Sequence, residues 1–398
     1  MKPNEDATRK LKYNRIWAIL IGFGVALSPI HNSWLTRLVT SEDVVGFFIP
    51  AFGIAIWFMG TLAFALYNWS DLSWGDKRVY IPLLIIVVAM GLSGITADKW
   101  GDKVSPLFMG IALFVLYMVS RKLGKDMFLP LAIGVVLASL GVIVLAVIIP
   151  GKLTGGLLFE GNYDVVVGYV LLGTMLFIHR WQWILAGLSL VAMFLTGSPE
   201  GVFTIFVVGL VILARRDWSR KLLYVLGAVV AIMIMWVSLG WGQSLYGYAK
   251  NIATRDDPTV PYIENEKRSA IGYRLYVIQK ELSDLQPFGD GYSITDFNKN
   301  PIHNVPLIIV QQLGWAGIIA ALAWLWVAIY CLAKTRWKYA WVVLLSLCVF
   351  DHFIWSQLCP LFWCLVGVST ASAIKNDLIF RENKLIMKYN HIKEVFNG

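Results

Sequence analysis

Apolar runs separated by short charged clusters recur along most of the chain. Each run holds roughly 15 to 24 residues, the length that a helix needs to cross about 30 Å of hydrocarbon. The runs are continuously apolar rather than alternating, which excludes membrane strands and favours about twelve transmembrane helices. The predicted spans are residues 16–30, 44–67, 79–96, 104–120, 127–150, 164–179, 181–196, 201–214, 221–242, 305–332, 341–355 and 359–374.

Composition agrees with this pattern. Of the 398 residues, 58% are hydrophobic and only 15% are charged, and the mean hydropathy is +0.66. A soluble globule needs more polar surface than this to be solvated. The fold class is therefore an all-α polytopic membrane protein.

The distribution of basic residues predicts the orientation. Most of the 34 Lys and Arg side chains fall in alternate connecting segments, starting with the polar N-terminal segment. The positive-inside rule then places both termini in the cytoplasm. The first apolar run has no signal-peptide cleavage pattern, so we expect a retained helix. The net charge of +9 reflects this cytoplasmic excess, so the expected partners are anionic membrane lipids and not nucleic acid.

The predicted helices divide the chain into four segments. Helices one to nine occupy residues 1–242, and a large extracytoplasmic loop follows at 243–304. Helices ten to twelve occupy residues 305–374, and residues 375–398 form a cytoplasmic tail. A connection as long as this loop is usually either functional or disordered, so its composition matters.

The loop contains the pattern of an amphipathic helix lying on the membrane surface. Apolar residues recur at alternating spacings of four and three, which produces one apolar stripe. These residues are Ile271, Leu275, Ile278, Leu282 and Leu285. Pro287, Gly289 and Gly291 then end the predicted helix, and the chain re-enters the bundle after Pro301.

Two arginines border this stripe. Arg268 and Arg274 fall about 60° to either side of it on a helical projection, so both can face the bundle. The guanidinium fork donates paired hydrogen bonds to phosphate oxygens, which suits a diphosphate. The alternative interpretation is that these side chains only reach lipid phosphates from an interfacial helix.

Histidines and carboxylates on the same predicted face are the candidates for proton transfer. His303 stands at a helix N-terminus, where the positive dipole favours the neutral form that can accept a proton. His352 with Asp351 is a second acid–base candidate, and Glu200 is a carboxylate in an outer turn that can meet an acceptor sugar. The structural alternatives are a capping histidine, an interface anchor and a solvated carboxylate at a helix start.

Two stretches of sequence resemble a known family. Residues 274–291 carry an arginine, an amphipathic helix and P-x-G-x-G, and residues 303–317 carry H-N, an apolar run and G-x-x-G. This order resembles the lipid-linked oligosaccharide polymerases and O-antigen ligases of bacterial envelopes. One feature departs from it, because Ser198-Pro199-Glu200 stands where that family often has a Ser-Arg pair.

The resemblance implies a GT-C-like glycosyltransferase of the bacterial inner membrane with its active site on the periplasmic face. The substrate would be a glycan on undecaprenyl diphosphate, and no metal or other cofactor is expected. Arg274 and Arg268 would hold the diphosphate, and His303 would act as the base. Glu200 joins the expected catalytic residues, and the substrate-binding residues would include Asn304, Asp351 and His352.

Several functions remain open at this point. We favour an O-antigen polymerase, whose acceptor is another lipid-linked repeat, over a ligase that uses the lipid A core. A polymerase could also work with a chain-length regulator. A flippase or other transporter is the main alternative from another class, although such proteins usually carry ionisable residues near the bilayer midplane. A membrane acyltransferase is a third alternative.

Overall fold

The structure is a computed structural model, and all regular structure in the part that it describes is helical. The described residues are 5–29, 48–96, 100–148, 163–179, 182–196, 199–214, 278, 282–283, 285–289, 291, 302, 304–335, 337–349, 354–355 and 358–371. Within them the helices are α1 Glu5–Leu27, α2 Phe48–Tyr67, α3 Lys77–Ser93, α4 Trp100–Leu123, α5 Phe128–Ile148, α6 Tyr163–His179, α7 Trp183–Leu195, α8 Pro199–Ala214, α9 Val305–Lys334, α10 Lys338–Cys348 and α11 Cys359–Ala371. Short 3-10 turns follow α2, α3 and α4.

Each predicted apolar run except 221–242, which lies outside the described residues, coincides with one of these helices. The helical class is thereby confirmed for the described part, while the number of membrane crossings stays a prediction. The prediction for 341–355 is wrong at its end, because α10 stops at Cys348. The carbonyl oxygen of Val349, the residue after α10, accepts a hydrogen bond from the Asn304 side chain at 3.2 Å.

Small residues bring helices into backbone contact. A Cβ atom on Gly24 of α1 would lie 2.5 Å from the backbone nitrogen of Trp57 in α2, and one on Gly53 of α2 would lie 2.7 Å from Ser28 N. Between α6 and α1, the Tyr169 hydroxyl donates to Ala26 O at 3.0 Å. Close approach at glycine is the usual way in which helices associate in lipid, where burial of apolar surface drives little association.

The surface of the bundle carries many large apolar side chains. They occur on most of the described helices and include Leu66, Val147 and Ile184, whose exposed fractions are 72%, 77% and 88%. By length and composition, the helical stretches Lys103–Val144 and Val305–Lys334 could cross a membrane. Both properties are compatible with a membrane protein.

Helix α9 is broken in its first third. Gly314 has φ 64° and ψ −140°, so the segment before it and the segment after it are separate helices that meet at a kink. This corrects the prediction of one continuous span at 305–332. The segment from Val305 to Leu313 is only about 14 Å long, whereas the segment from Trp315 to Lys334 is about 30 Å long, enough to cross the hydrocarbon by itself.

Candidate functional site

The break in α9 is filled by the P-x-G-x-G loop. The backbone N–H of Gly291 donates to Gln312 O at 3.0 Å, and the N–H of Trp315 donates to Pro287 O, also at 3.0 Å. In a continuous helix, Gln312 O and Trp315 N would bond within the helix itself. The loop therefore supplies the hydrogen bonds that the kink removes.

Two glycines make this docking sterically possible. A Cβ atom on Gly314 would collide with the backbone of Gly289 and Pro287 and would lie 2.6 Å from Gln286 O. A Cβ atom on Gly289 would in turn collide with the backbone at Gln312 and Gly314. Gly289 also has a φ of 73°, a conformation that favours glycine. The loop and the helix thus meet backbone against backbone.

Two adjacent buried glutamines hold other segments against the kink. Gln311 Oε1 accepts the backbone N–H of Ile302 at 3.1 Å. Gln312 Oε1 accepts the indole N–H of Trp355 at 2.7 Å, and both glutamine side chains are almost fully buried. Each bond ties a residue near a predicted catalytic histidine to the first segment of α9.

Asn304 links this cluster to the end of α10. Its Oδ1 accepts the N–H of Leu307 at 3.2 Å and so caps α9, while its Nδ2 donates to Val349 O at 3.2 Å. Its backbone N–H also donates to Ile302 O at 2.8 Å. These contacts give Asn304 a structural role, and the predicted substrate-binding role stays a prediction.

Most of the other predicted site residues lie outside the described residues. These are Arg268, Arg274, His303, Asp351 and His352. Glu200 lies in the first turn of α8, where the backbone is described but the side chain is not. The structure nevertheless describes direct neighbours of His303, namely Ile302 and Asn304, and it places them against Gln311 and Val349. Val349 precedes Asp351 by two residues.

Sequence reasoning missed the glutamines and the role of Trp355. The sequence did indicate that Gln311 and Gln312 are unusual, because two consecutive amide side chains in an otherwise apolar helix are costly in hydrocarbon unless they are hydrogen-bonded. Nothing in the local sequence identified the partners, because the Trp355 bond joins distant parts of the chain and the Ile302 bond joins the helix to the segment that precedes it.

The far end of α9 is anchored to the start of α3. The Tyr330 hydroxyl donates to Asp76 Oδ2 at 2.7 Å, and the Trp326 indole donates to Arg78 O at 2.8 Å. Burial alone would raise the pKa of the Asp76 carboxyl. Hydrogen bonds from Tyr330 and from the Arg78 backbone, together with the charges of Arg78 and Lys77, outweigh burial and lower this pKa.

No known protein-family model matches the chain, and no curated protein matches it. The function must therefore be inferred from the site itself. Its central feature is a loop docked into a broken helix, with the segments on either side of His303 and before Asp351 held in place.

Proposed function

We propose that this protein is a membrane glycosyltransferase of the O-antigen polymerase type, which acts on the periplasmic face of a bacterial inner membrane. The single observation that carries the proposal is the junction between 287–291 and 312–315. The motifs on which the family resemblance rests, P-x-G-x-G and G-x-x-G, are the two backbones that interlock there. The two motifs therefore occur together because their backbones contact each other.

We expect this junction to bring the proposed reactive groups toward one place. Gly291 follows the predicted amphipathic helix that carries Arg274, and its N–H is bonded to α9. His303 lies between Ile302 and Asn304, whose backbone and side-chain bonds lead to Gln311 and to Val349. Preorganised positioning of this kind is what group transfer requires, because misplacement of about 1 Å can cost 10²-fold in rate.

The proposed reaction transfers a glycan between lipid-linked substrates. His303 accepts the proton of an acceptor sugar hydroxyl while that oxygen bonds to the anomeric carbon of the donor glycan. The bond from the anomeric carbon to the diphosphate oxygen breaks, and undecaprenyl diphosphate leaves with the electron pair. Arg274, helped by Arg268, holds the negative charge that develops on the diphosphate. No metal or cofactor takes part in this scheme.

The composition of the interior favours this proposal over a transporter. Among the residues that the structure describes, the buried polar side chains include no Asp, Glu, Lys, Arg or His. Several buried hydroxyls bond to their own helix, as Thr174 Oγ1 does to Val170 O at 2.9 Å and Thr370 Oγ1 to Val366 O, also at 2.9 Å. A transport pathway through the bilayer usually carries ionisable residues.

The experiment that tests the proposal is complementation of a strain that lacks its O-antigen polymerase. Lipopolysaccharide is separated on a gel, with wild type beside His303→Ala and the matched control His391→Ala, which alters a histidine in the predicted cytoplasmic tail. We expect a polymer ladder with wild type and with the control, and no ladder with His303→Ala. A single-repeat product with wild type would refute the polymerase and favour a ligase or a flippase.

The role of the arginines has its own test in the same strain. Arg274→Lys keeps the charge but loses the paired hydrogen bonds to phosphate, so we expect a shortened or absent ladder at equal protein level. Arg268→Lys is the matched comparison and should have the smaller effect, since Arg268 only assists. Full activity of Arg274→Lys would contradict the proposal that Arg274 binds the diphosphate.

A further inference from the structure

At the end of the bundle that is predicted to face the cytoplasm, far from the proposed active site in the topology, an open cavity of about 300 Å³ lies between the loop after α2 and the ends of α4 and α11. Its lining consists of two basic, one acidic, one hydroxyl and two apolar side chains. They are Arg121, Lys122, Asp71, Ser73, Met118 and Ala371.

The basic groups of this cavity are held in place but keep spare hydrogen-bond donors. Arg121 donates through Nη1 to Ser73 O at 3.1 Å and to Ser73 Oγ at 2.7 Å, whereas its Nη2 donates to none of the described residues. Lys122 Nζ lies 3.6 Å from Asp71 Oδ2. The lining holds two basic side chains and one carboxylate, so it carries a net positive charge.

Two contacts hold the loop beside the cavity in place. The Tyr117 hydroxyl donates to Trp74 O at 2.9 Å, and Gly75, with φ 88°, passes so close to Arg121 that a Cβ atom there would lie 2.8 Å from Arg121 Nε. The guanidinium is thereby fixed with its free edge accessible, and a ligand would pay little to order it.

Aromatic side chains place this cavity at the level of lipid head groups. Tyr67, Trp69 and Trp74 lie in and next to the same loop, and their exposed fractions are 74%, 62% and 50%. Tyr and Trp that remain exposed at the end of apolar helices are typical of the membrane interface. Basic pockets between helices on the cytoplasmic side are where anionic head groups bind.

We infer that this cavity binds the phosphate group of an anionic phospholipid. Arg121 Nη2 and Lys122 Nζ would donate to the phosphate oxygens, and Met118 and Ala371 would form the apolar part of the lining beside the glycerol and acyl chains. Asp71 weakens this binding by opposing the phosphate charge. The inference is independent of the proposed glycosyl transfer.

The test uses the purified full-length chain in a neutral detergent. Short-chain phosphatidylglycerol is titrated at constant ionic strength, and the rise in apparent Tm gives the concentration for half-maximal effect. We expect Lys122→Gln to raise that concentration about five-fold, which corresponds to about 1 kcal/mol per basic residue near a lipid surface. Lys125→Gln, a change of equal charge outside the lining, should leave it unchanged.

Asp71→Asn separates lipid binding from a merely structural ion pair. Both Asp71→Asn and Lys122→Gln break the contact between Lys122 and Asp71. If that contact only clamps the loop, both variants will change the lipid response in the same direction, and the inference fails. If the cavity binds phosphate, Asp71→Asn will lower the half-maximal concentration while Lys122→Gln raises it.

Two further arms identify the source of the phosphate group. Phosphatidylcholine of the same chain length should raise the Tm less than phosphatidylglycerol, since its head group has no net charge. Inorganic phosphate at equal concentration should have no effect without the apolar contacts. A phosphate effect equal to that of phosphatidylglycerol would overturn the assignment to lipid, and an equal loss in Lys125→Gln would overturn the assignment to this cavity.

Discussion

Replacement of Gly314 by alanine should uncouple the docked loop from α9. The residue has φ 64° and ψ −140°, where a side chain costs about 1 to 3 kcal/mol. The added Cβ would also lie 2.6 Å from Gln286 O and would collide with the backbone of Pro287 and Gly289, which cannot rotate away as a side chain can. Separation of the loop would lose two backbone hydrogen bonds, each worth about 1 kcal/mol.

The expected total loss is about 3 to 5 kcal/mol when strain and lost hydrogen bonds are combined. The assay is thermal unfolding of the purified chain in detergent, with the polymer ladder in the complemented strain as a second readout. Two glycines serve as matched controls. Gly291 also has a positive φ, 96°, and Gly187 lies within α7, but a Cβ atom on either would meet nothing within 4 Å.

The three variants should therefore form a series. Gly187→Ala should cost nothing, because alanine favours a helix over glycine by about 1 kcal/mol. Gly291→Ala should cost about 1 to 2 kcal/mol for its left-handed backbone. Gly314→Ala should have the lowest Tm and give no ladder. If Gly314→Ala unfolds at the same temperature as Gly291→Ala, the contact between the loop and the broken helix does not stabilise the site as described.

Three further predictions concern single bonds. Asn304→Ser keeps a helix cap but loses the bond to Val349 O, so the ladder should weaken while Tm falls by no more than the equivalent of about 1 kcal/mol. Gln312→Leu removes the acceptor of the buried Trp355 indole N–H, and Tm should fall by the equivalent of about 1 to 3 kcal/mol. Because its folded pKa lies below the ordinary 3.8, Asp76 stabilises the chain above that value, and this contribution disappears as pH falls through the lowered pKa. Plots of Tm against acidic pH should be flatter for Asp76→Asn, and equal slopes would show that the bond from Tyr330 contributes nothing.

The sequence singled out two segments that meet in the structure, but not how they are joined. The pattern at 287–291 and at 303–317 singled out the loop and the start of α9, and Asn304 was named with them. The use of Asn304 as a cap and as a tie to Val349 was not predicted. The cap is a local bond, but the tie to Val349 joins residues far apart in the chain, and no local pattern records it.

The helices themselves could be predicted because their causes are local. Backbone hydrogen bonds in a helix join residues four apart, and an apolar run of sufficient length is enough to indicate one, as at Phe48–Tyr67 and Phe128–Ile148. The ends of such runs were less accurate, as at 341–355, because an apolar run alone does not specify where its helix stops.

Only the tertiary structure decided that α9 is broken. Glycine inside an apolar run is tolerated in a continuous helix, so the residue type at 314 permits either conformation. The kink is stable because Pro287 O and the Gly291 N–H replace the hydrogen bonds that it removes, and because Gly289 leaves room for the two backbones to meet. The sequence by itself therefore determined a helical, apolar chain with its polar groups concentrated near one long loop. The packing of that loop against α9 determined where the helix breaks.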